Sequence, residues 1–473
     1  MILFEPIRDR IHAPTLVEQV VKALEDAISS QLLRPGMAVP SVRRFARDHG
    51  LSNFTVATAY SRLVAQSWLS ARPGSGYRVA MRTARPHEAA PARWRPPEIG
   101  ASWLLADVFA DHSIPIKSGC GWMPPEWLNE TGLQQSLRQL ARVPAEQIAG
   151  YGHPFGYAPL REHVAGSLGE YGLAADADNV LLTLGASQAL DIVLRAVFRH
   201  GDEVAVETPC YANFLQTLTL SGLSAVGIPR TEEGLCVDTL ERVASRRKLK
   251  AVFVNTVLHN PTGSSLTMAN AFRILRIAEQ YNLRVIEDDV SRGLLPGVGP
   301  MLAALAGPER VIYVSGFSKS VAPSVRVGYV VAAPALLDGF AKIKMAMGLT
   351  TPEMMERAVY QLLRLGHHHA HLRRVQDRLR EAHDALCDLL ERHGFEVFCR
   401  PRAGLFLWAR PGGEWRERGA ARLAELALKD GIWLAPGSYF HPEQLDEGWI
   451  RFNVAYSLDA SLWRFMRKVG ATV

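Results

Sequence analysis

Cysteine is scarce and scattered in this chain: 5 in 473 residues, at Cys120, Cys210, Cys236, Cys387 and Cys399, with no Cys-x-x-Cys pair. That spacing supports neither a disulfide framework nor a zinc knuckle, so a reduced, cytoplasmic protein is expected. Long apolar runs are missing too. No stretch is long enough to span a bilayer, and the first residues carry Glu5, Arg8, Asp9 and Arg10 in place of an apolar core. Neither a membrane protein nor a secretory leader is expected. No internal repeat is found. Most of the chain also lacks an excess of either charge. The formal net charge is +6, but residues 1–82 alone hold 11 Lys and Arg against 6 Asp and Glu. A basic segment ahead of a nearly neutral remainder points to a nucleic-acid-binding module joined to something else. The length suits two or three domains.

What is present begins with an amphipathic pattern over residues 15–32. Leu16, Val17, Val20, Val21, Leu24, Ile28 and Leu32 recur at helical period, and Thr15 with Glu18 has capping-box spacing. Arg34-Pro35-Gly36 ends this helix. Ser41 can cap a second, short helix with Val42, Phe45 and Ala46 inward. Ser52 can cap a third with Val56, Ala59, Tyr60, Leu63 and Val64 inward. Two short strands, 68–71 and 77–80, flank Arg72-Pro73-Gly74-Ser75-Gly76. Helix, turn, helix and Gly-rich hairpin is the outline of a winged helix-turn-helix.

Pro86, Pro91, Pro96 and Pro97 then sit among Ala and Arg with little apolar periodicity, as in a semi-rigid linker. The domain boundaries expected are 11–82 for the head, 83–112 for the linker and 113–473 for the body. Within the body, strand signals at 180–184, 203–207, 225–228, 251–255, 284–287 and 311–315 alternate with helical stretches such as 187–199 and 267–281. That alternation predicts an α/β fold with a mainly parallel sheet covered by helices. From about residue 353 a long charged helix runs through Arg392. Strands at 405–409 and 449–454 with a helix at 418–430 then suggest a smaller α+β lobe, 353–473.

Lys319 is the most informative single residue. It lies in Ser315-Gly316-Phe317-Ser318-Lys319-Ser320, a Ser/Gly-rich turn between the apolar strand 311–314 and the apolar stretch 327–333. Burying an ammonium is costly unless it is neutralised, paired or used covalently. A Schiff base with an aldehyde cofactor removes the charge and gives the amine a purpose. Arg326, seven residues on, offers a fixed fork suited to a phosphate. His367, His368, His369 and His371 look like a metal patch, but they read as solvated or interhelical side chains and no metal site is expected.

The head closely resembles the GntR-type winged helix through Leu33-Arg34-Pro35-Gly36, Val39-Pro40-Ser41-Val42-Arg43-Arg44-Phe45-Ala46, Leu51-Ser52-Asn53-Phe54-Thr55-Val56-Ala57-Thr58-Ala59-Tyr60 and Pro73-Gly74-Ser75-Gly76-Tyr77. The resemblance implies that Ser41, Arg43, Arg44, Ser52, Thr55, Tyr60 and Arg62 face the phosphates or bases of double-stranded operator DNA. Arg72 and Gly74 would lie at the wing. Where relatives often carry Arg-Asn after the capping serine, this chain has Asn53-Phe54, so their base preference does not carry over.

Residues 115–473 resemble the fold-type I aminotransferases that bind pyridoxal 5′-phosphate. Gly185-Ala186-Ser187-Gln188 would open a helix and cradle the phosphate on its N–H groups. Tyr211 of Pro209-Cys210-Tyr211 would stack on the pyridine ring, and Asn260 of Asn260-Pro261-Thr262-Gly263 would donate to the phenolic oxygen. Asp288 of Glu287-Asp288-Asp289 would pair with the ring nitrogen. Ser318, Lys319 and Arg326 complete the cofactor set, with Lys319 as the Schiff-base lysine. Tyr151, in Tyr151-Gly152 ahead of Gly156 and Leu160-Arg161, would reach the phosphate of a partner subunit, which implies a homodimer. Arg451 matches the arginine that grips an α-carboxylate. The loop Gly119-Cys120-Gly121-Trp122-Met123 is expected to shape the effector pocket. One departure touches the chemistry: relatives carry a tyrosine three residues after the pairing aspartate, and here that position is Ser291.

A GntR-type head on an aminotransferase-like body is the arrangement of the MocR family of bacterial regulators. The resemblance implies a transcription factor that senses pyridoxal phosphate itself, or an amino compound, through an aldimine at Lys319. The competing expectation is a working aminotransferase with an accessory DNA-binding head.

Overall fold

Thr15 starts the first helix as the sequence predicts. Its side chain accepts from the Glu18 N–H while Glu18 accepts back from Thr15, a complete capping box. The structure is a computed structural model that describes residues 4, 6, 7, 14–72, 76–80, 114–128 and 130–471. Two compact units result, Met1–Trp94 and Arg95–Val473. In the first, α1 (Leu16–Ser29), α2 (Val42–Asp48) and α3 (Asn53–Ala65) precede an antiparallel hairpin of β1 (Leu69–Arg72) and β2 (Gly76–Val79). Ser41 and Ser52 cap α2 and α3 by accepting from the N–H groups three residues on. Val20, Leu24, Phe45, Val56, Ala59, Leu63, Trp68 and Val79 form the core. The wing tip with Gly74, the linker 83–112 and the side chain of Arg72 lie outside the described residues.

The second unit is built on an eight-stranded sheet. Its strands are β3 (Val180–Thr183), β4 (Glu203–Thr208), β5 (Ser224–Thr231), β6 (Gly234–Leu235), β7 (Leu249–Asn255), β8 (Arg284–Asp288), β9 (Val311–Gly316) and β10 (Gly328–Val331). Their spatial order is β3-β10-β9-β8-β7-β4-β5-β6. The five strands from β9 to β5 run parallel, whereas β10 is antiparallel to both its neighbours and β6 to β5. Helices cover both faces, so alternate residues enter opposite cores. Val252, Val254, Val285 and Tyr313 pack on one side; Ala251, Phe253, Ile286 and Ile312 pack on the other. Near-continuous apolar strands are the sequence signature of that double burial.

The long helix expected from residue 353 is two helices, Glu353–Arg364 and His367–Arg392. Gly366 breaks it in the left-handed conformation, at φ 72°, where a glycine carries no Cβ penalty. The break separates two cores. Val359 and Leu362 pack with the large sheet, whereas Val375, Leu379, Leu386 and Leu390 pack with the small lobe. That lobe holds a four-stranded sheet of β11 (Glu396–Val397), β12 (Phe406–Arg410), β13 (Ala435–Pro436) and β14 (Ile450–Asn453), in the order β11-β12-β14-β13.

A wholly buried ion pair sits between β4 and β5. Arg230 donates to Glu207, and its guanidinium also reaches Ser264 Oγ at 2.8 Å and the Asn255 carbonyl at 3.2 Å. Glu207 also accepts from the Asn255 N–H at 2.8 Å. Removing one partner strands the other charge without water. Arg230→Met is expected to cost about 3–5 kcal/mol in denaturant unfolding, and Glu207→Gln on top of it to restore part of that loss.

Candidate functional sites

The cleft is assembled at the carboxyl ends of the parallel strands, where open α/β sheets place ligands. Lys319 follows β9, is half-buried, and donates from Nζ to the Gly121 carbonyl. Its amine is held down to about 8, first by desolvation and then by the neighbouring Arg451 guanidinium. Asp288 ends β8 and is 3% exposed. Burial, with smaller contributions from Asp289 and Glu207, pushes its carboxyl up to about 7, while the Val290 N–H and Lys319 act the other way.

Three consecutive acids stand at this strand end, and their partners tell them apart. Glu287 accepts from the Leu302 and Ala303 N–H groups at 2.9 and 2.7 Å and from Thr256. Asp289 pairs with Arg292 and accepts from the Tyr313 hydroxyl at 3.0 Å. Asp288 has no ion-pair partner among the described residues; its Oδ1 accepts from the Val290 N–H at 3.3 Å. A buried carboxylate with no salt bridge among the described residues, near enough to Lys319 for each to shift the other, suits a protonated ring nitrogen.

Arg451 on β14 is 5% exposed and lies over the rings of Phe406 and Phe440, at 4.6 and 4.8 Å. Its Nη1 donates to Asn260 Oδ1 at 2.8 Å and its Nη2 to the Gly119 carbonyl at 2.6 Å. Asn260 therefore keeps its Nδ2 free to donate elsewhere. The Asn260 N–H donates to Asn255 Oδ1 at 2.8 Å, and Asn255 Nδ2 to the Asp288 carbonyl at 2.8 Å. One hydrogen-bonded chain thus runs from Arg451 through Asn260 and Asn255 to Asp288. Tyr211 sits in the same cleft: burial and the Asp288 carboxylate push its hydroxyl up, while hydrogen bonds with Ser187 and Asn213 oppose them.

Ala186, Ser187 and Gln188 lie in the first turn of α4 (Gly185–Val197), which has no side-chain cap on its N-terminus. Gln188 turns inward, and its Oε1 accepts from the Leu184 N–H at 2.7 Å. Arg326 adopts a left-handed backbone at φ 49° and donates to the Leu184 carbonyl at 3.2 Å. A Cβ on Gly185 would lie 2.6 Å from the Arg326 guanidinium, and one on Gly328 2.4 Å from the Gly185 backbone. The glycines let guanidinium and strand close on an uncapped helix terminus, an arrangement fitted to a phosphate. A cavity of about 150 Å³ opens beside it, lined by Thr183, Leu184, Ser324 and Arg326. Ser318 is half-buried beside Lys319. Tyr151 stands 86% exposed on this chain.

The loop after residue 114 is the part sequence reading could not resolve. Its carbonyls at Gly119 and Gly121 take Arg451 and Lys319 respectively. Asn453 Nδ2 fastens it by donating to the Cys120 and Trp122 carbonyls at 3.0 and 2.8 Å. Asn453 lies two residues beyond Arg451, on the same face of β14; that spacing was the available signal. Asn255, the middle of the chain to Asp288, was also missed, because it reads as a strand residue. Ser291 is 7% exposed. His368 and His371 are buried with their rings 6.4 Å apart.

On the head, Arg43, Arg44, Ser52 and Arg62 are exposed, as is Ser41. Thr55 is half-buried, and its Oγ1 lies 2.8 Å from Ser52 Oγ. Tyr60 lies where its helical spacing put it, inward, and not against DNA as the resemblance implies. It is fully buried, and its hydroxyl donates to the Pro40 carbonyl at 2.9 Å. Its position on the inner face of α3 keeps it from DNA, so it serves the core.

An uncapped helix terminus, a lysine turn and an unpaired aspartate around one cleft, in a chain that also carries a winged helix-turn-helix, define an aminotransferase-fold body with a DNA-binding head. Residues 129–469 match the model for aminotransferase class I and II, and residues 16–79 that for the gntR family of bacterial regulatory proteins. The chain belongs to the class I and II aminotransferase family, in the MocR-type arrangement of head and body. It is similar to the uncharacterised HTH-type transcriptional regulator YjiR of Escherichia coli, 29% identical over 477 residues, covering 97% of this chain and 99% of that one. The probable rhizopine catabolism regulatory protein MocR of Rhizobium meliloti is 28% identical, covering 82% of this chain and 79% of its own. Among solved structures, the α-aminoadipate aminotransferase LysN of Thermus thermophilus, complexed with N-(5′-phosphopyridoxyl)-L-leucine, superposes with a TM-score of 0.68. It is 28% identical and covers 75% of this chain and 92% of its own. Among the described residues no helix is long and apolar enough to cross a membrane.

Proposed function

We propose that this protein is a pyridoxal-phosphate-dependent transcriptional regulator that reads operator DNA with residues 11–82 and senses a ligand in the body, 113–473, across the linker 83–112. The observation that carries the reading is Asp288, a buried carboxylate near Lys319 with no salt bridge among the described residues, in the same chain as a basic winged helix. Lys319 would hold the cofactor, Asp288 would face its ring nitrogen, and Tyr211 its ring. Asn260 Nδ2 would face its phenolic oxygen. Ala186, Ser187 and Arg326 would take its phosphate, with Tyr151 donated by the second copy of a homodimer. The cofactor supplies an aldehyde that a primary amine can take up and a ring that withdraws electron density.

The ligand sensed would be pyridoxal phosphate itself or an amino compound whose carboxylate meets Arg451. Such a carboxylate competes with the Gly119 carbonyl for Nη2, and the cofactor competes with the Gly121 carbonyl for Lys319. Two of the hydrogen bonds that hold loop 118–123 thus lie at ligand positions, while Asn453 keeps the loop attached, so occupancy would bias the loop's position. The test is footprinting on DNA upstream of the protein's own gene, with and without pyridoxal phosphate, alongside the protein's visible absorbance. A cofactor-dependent change in protection is expected. A footprint that ignores a cofactor which visibly binds would sink the sensing role.

The second reading is a working aminotransferase. Retention of Lys319 and Arg451 favours it; Ser291, too short to reach a phenolic oxygen as a tyrosine would, weighs against it. Multiple-turnover production of keto acid from amino donors would support that reading.

A further inference from the structure

Phe54 stands 80% exposed in the first turn of α3. Folding of the head does not use its ring: Val56, Ala59, Tyr60 and Leu63 are the buried side chains of α3. Along the outward stripe of the helix, Phe54 is followed at helical spacing by Thr58, Ser61 and Arg62. No acidic residue occurs in α3, and α2 presents exposed Arg43, Arg44 and Arg47. The one acid of α2, Asp48, is held at 3.5 Å by both Arg44 and Arg47. Phe54 is thus a lone aromatic ring on a basic face. The other exposed large apolar side chains described in this unit, Ile7, Leu32 and Met37, lie outside α2 and α3. An apolar protein-docking patch would need apolar neighbours; a groove walled by phosphates needs cations such as the arginines that α2 exposes and Arg62 farther along α3.

The hydroxyls nearby are partly used in capping the helix. Ser52 Oγ accepts from the Thr55 N–H at 3.0 Å and lies 2.8 Å from Thr55 Oγ1. Asn53 and Phe54 are exposed at the tip of the helix, where recognition helices meet base edges. The apolar feature that a base pair shows in the major groove is the thymine 5-methyl group. We propose that Phe54 is a specificity-determining contact that reads the methyl group of a thymine in each half-site. This rests on the DNA-reading role assigned to the head, and concerns a position where this chain departs from the GntR pattern.

The test selects duplexes from a random-sequence library with the full-length protein and with full-length Phe54→Ala, then substitutes uracil for thymine position by position in the wild-type winner. Uracil removes only the methyl group. The wild type is expected to prefer thymine at one position per half-site by about fourfold, the scale of one buried methyl. In Phe54→Ala that preference disappears while the salt dependence of binding is unchanged, and Phe54→Leu retains part of it. Wild-type affinity indifferent to uracil everywhere would overturn the assignment. So would an unchanged thymine preference in Phe54→Ala, or a variant altered in oligomeric state but not in selected sequence. A wild type that enriches no sequence would instead remove the DNA-reading role on which the assignment rests.

Discussion

A Lys319→Ala protein mixed with pyridoxal phosphate is expected to show only the absorbance of free cofactor, and to lose the cofactor on gel filtration. The reasoning begins with where the amine sits. Lys319 is half-buried next to Arg451, with Arg326 close enough to matter, and desolvation together with these cations brings its amine down to about 8. An amine of ordinary basicity would be almost wholly protonated at neutral pH. One near 8 offers roughly a tenth of its population as the neutral nucleophile at pH 7. The rate of cofactor capture by the wild type should therefore rise with pH and level off above about 8. Lys319→Arg keeps the charge and the hydrogen bond to Gly121 but has no such nucleophile, so it should fail as Lys319→Ala does. Wild-type absorbance that survives in either variant would show that another amine holds the cofactor.

Lys319 could be found in the sequence because its flanks are so unlike it. A cation in a small-residue turn between two apolar strands is anomalous, and the anomaly is local. The caps of α1, α2 and α3 were legible for the same reason: each depends on residues three apart. The resemblance misplaced Tyr60 because a motif match does not say which side of a helix faces the core, whereas its spacing from Val56 and Leu63 does and put it inward. The break at Gly366 was missed because the charged pattern continues across it, and only the change of core beneath the helix marks it. The resemblance gathered the distant residues of the site, but the hydrogen bonds that join distant segments were not legible. The bond from Gly121 to Lys319 spans 198 positions and that from Gly119 to Arg451 spans 332. Neither carbonyl has a side chain to announce it. The same holds for Glu207 and Arg230, whose pairing requires β4 and β5 to be neighbours.

Asp288→Asn is expected to change stability in opposite directions with and without cofactor. In the cofactor-free protein the Asp288 carboxyl titrates near 7, well above the usual carboxylate range, because it is buried beside Glu207 and Asp289. Below about pH 4 the acid is protonated in both folded and unfolded chains, and it imposes no penalty. As pH rises from about 4 towards 7, the unfolded chain releases its proton while the folded one holds on, so folding loses stability. Above 7 the folded carboxylate is also charged, and the full penalty is present. Asparagine does not titrate, so the cofactor-free variant should be more stable than wild type at pH 8, by roughly 2–4 kcal/mol, and no more stable near pH 4. A protonated ring nitrogen reverses the sign. It gives the buried carboxylate its missing cation, so pyridoxal phosphate should raise the wild-type unfolding temperature far more than that of the variant. Thermal unfolding at pH 4 and pH 8, with and without pyridoxal phosphate, measures both effects. Equal stabilisation of the two proteins by the cofactor would remove Asp288 from the site. A cofactor-free variant no more stable than wild type at pH 8 would show that the cleft already solvates this carboxylate. On the proposed reading, the instability that Asp288 brings to the cofactor-free protein would couple cofactor binding to a change of state, which an enzyme can ignore and a regulator can use.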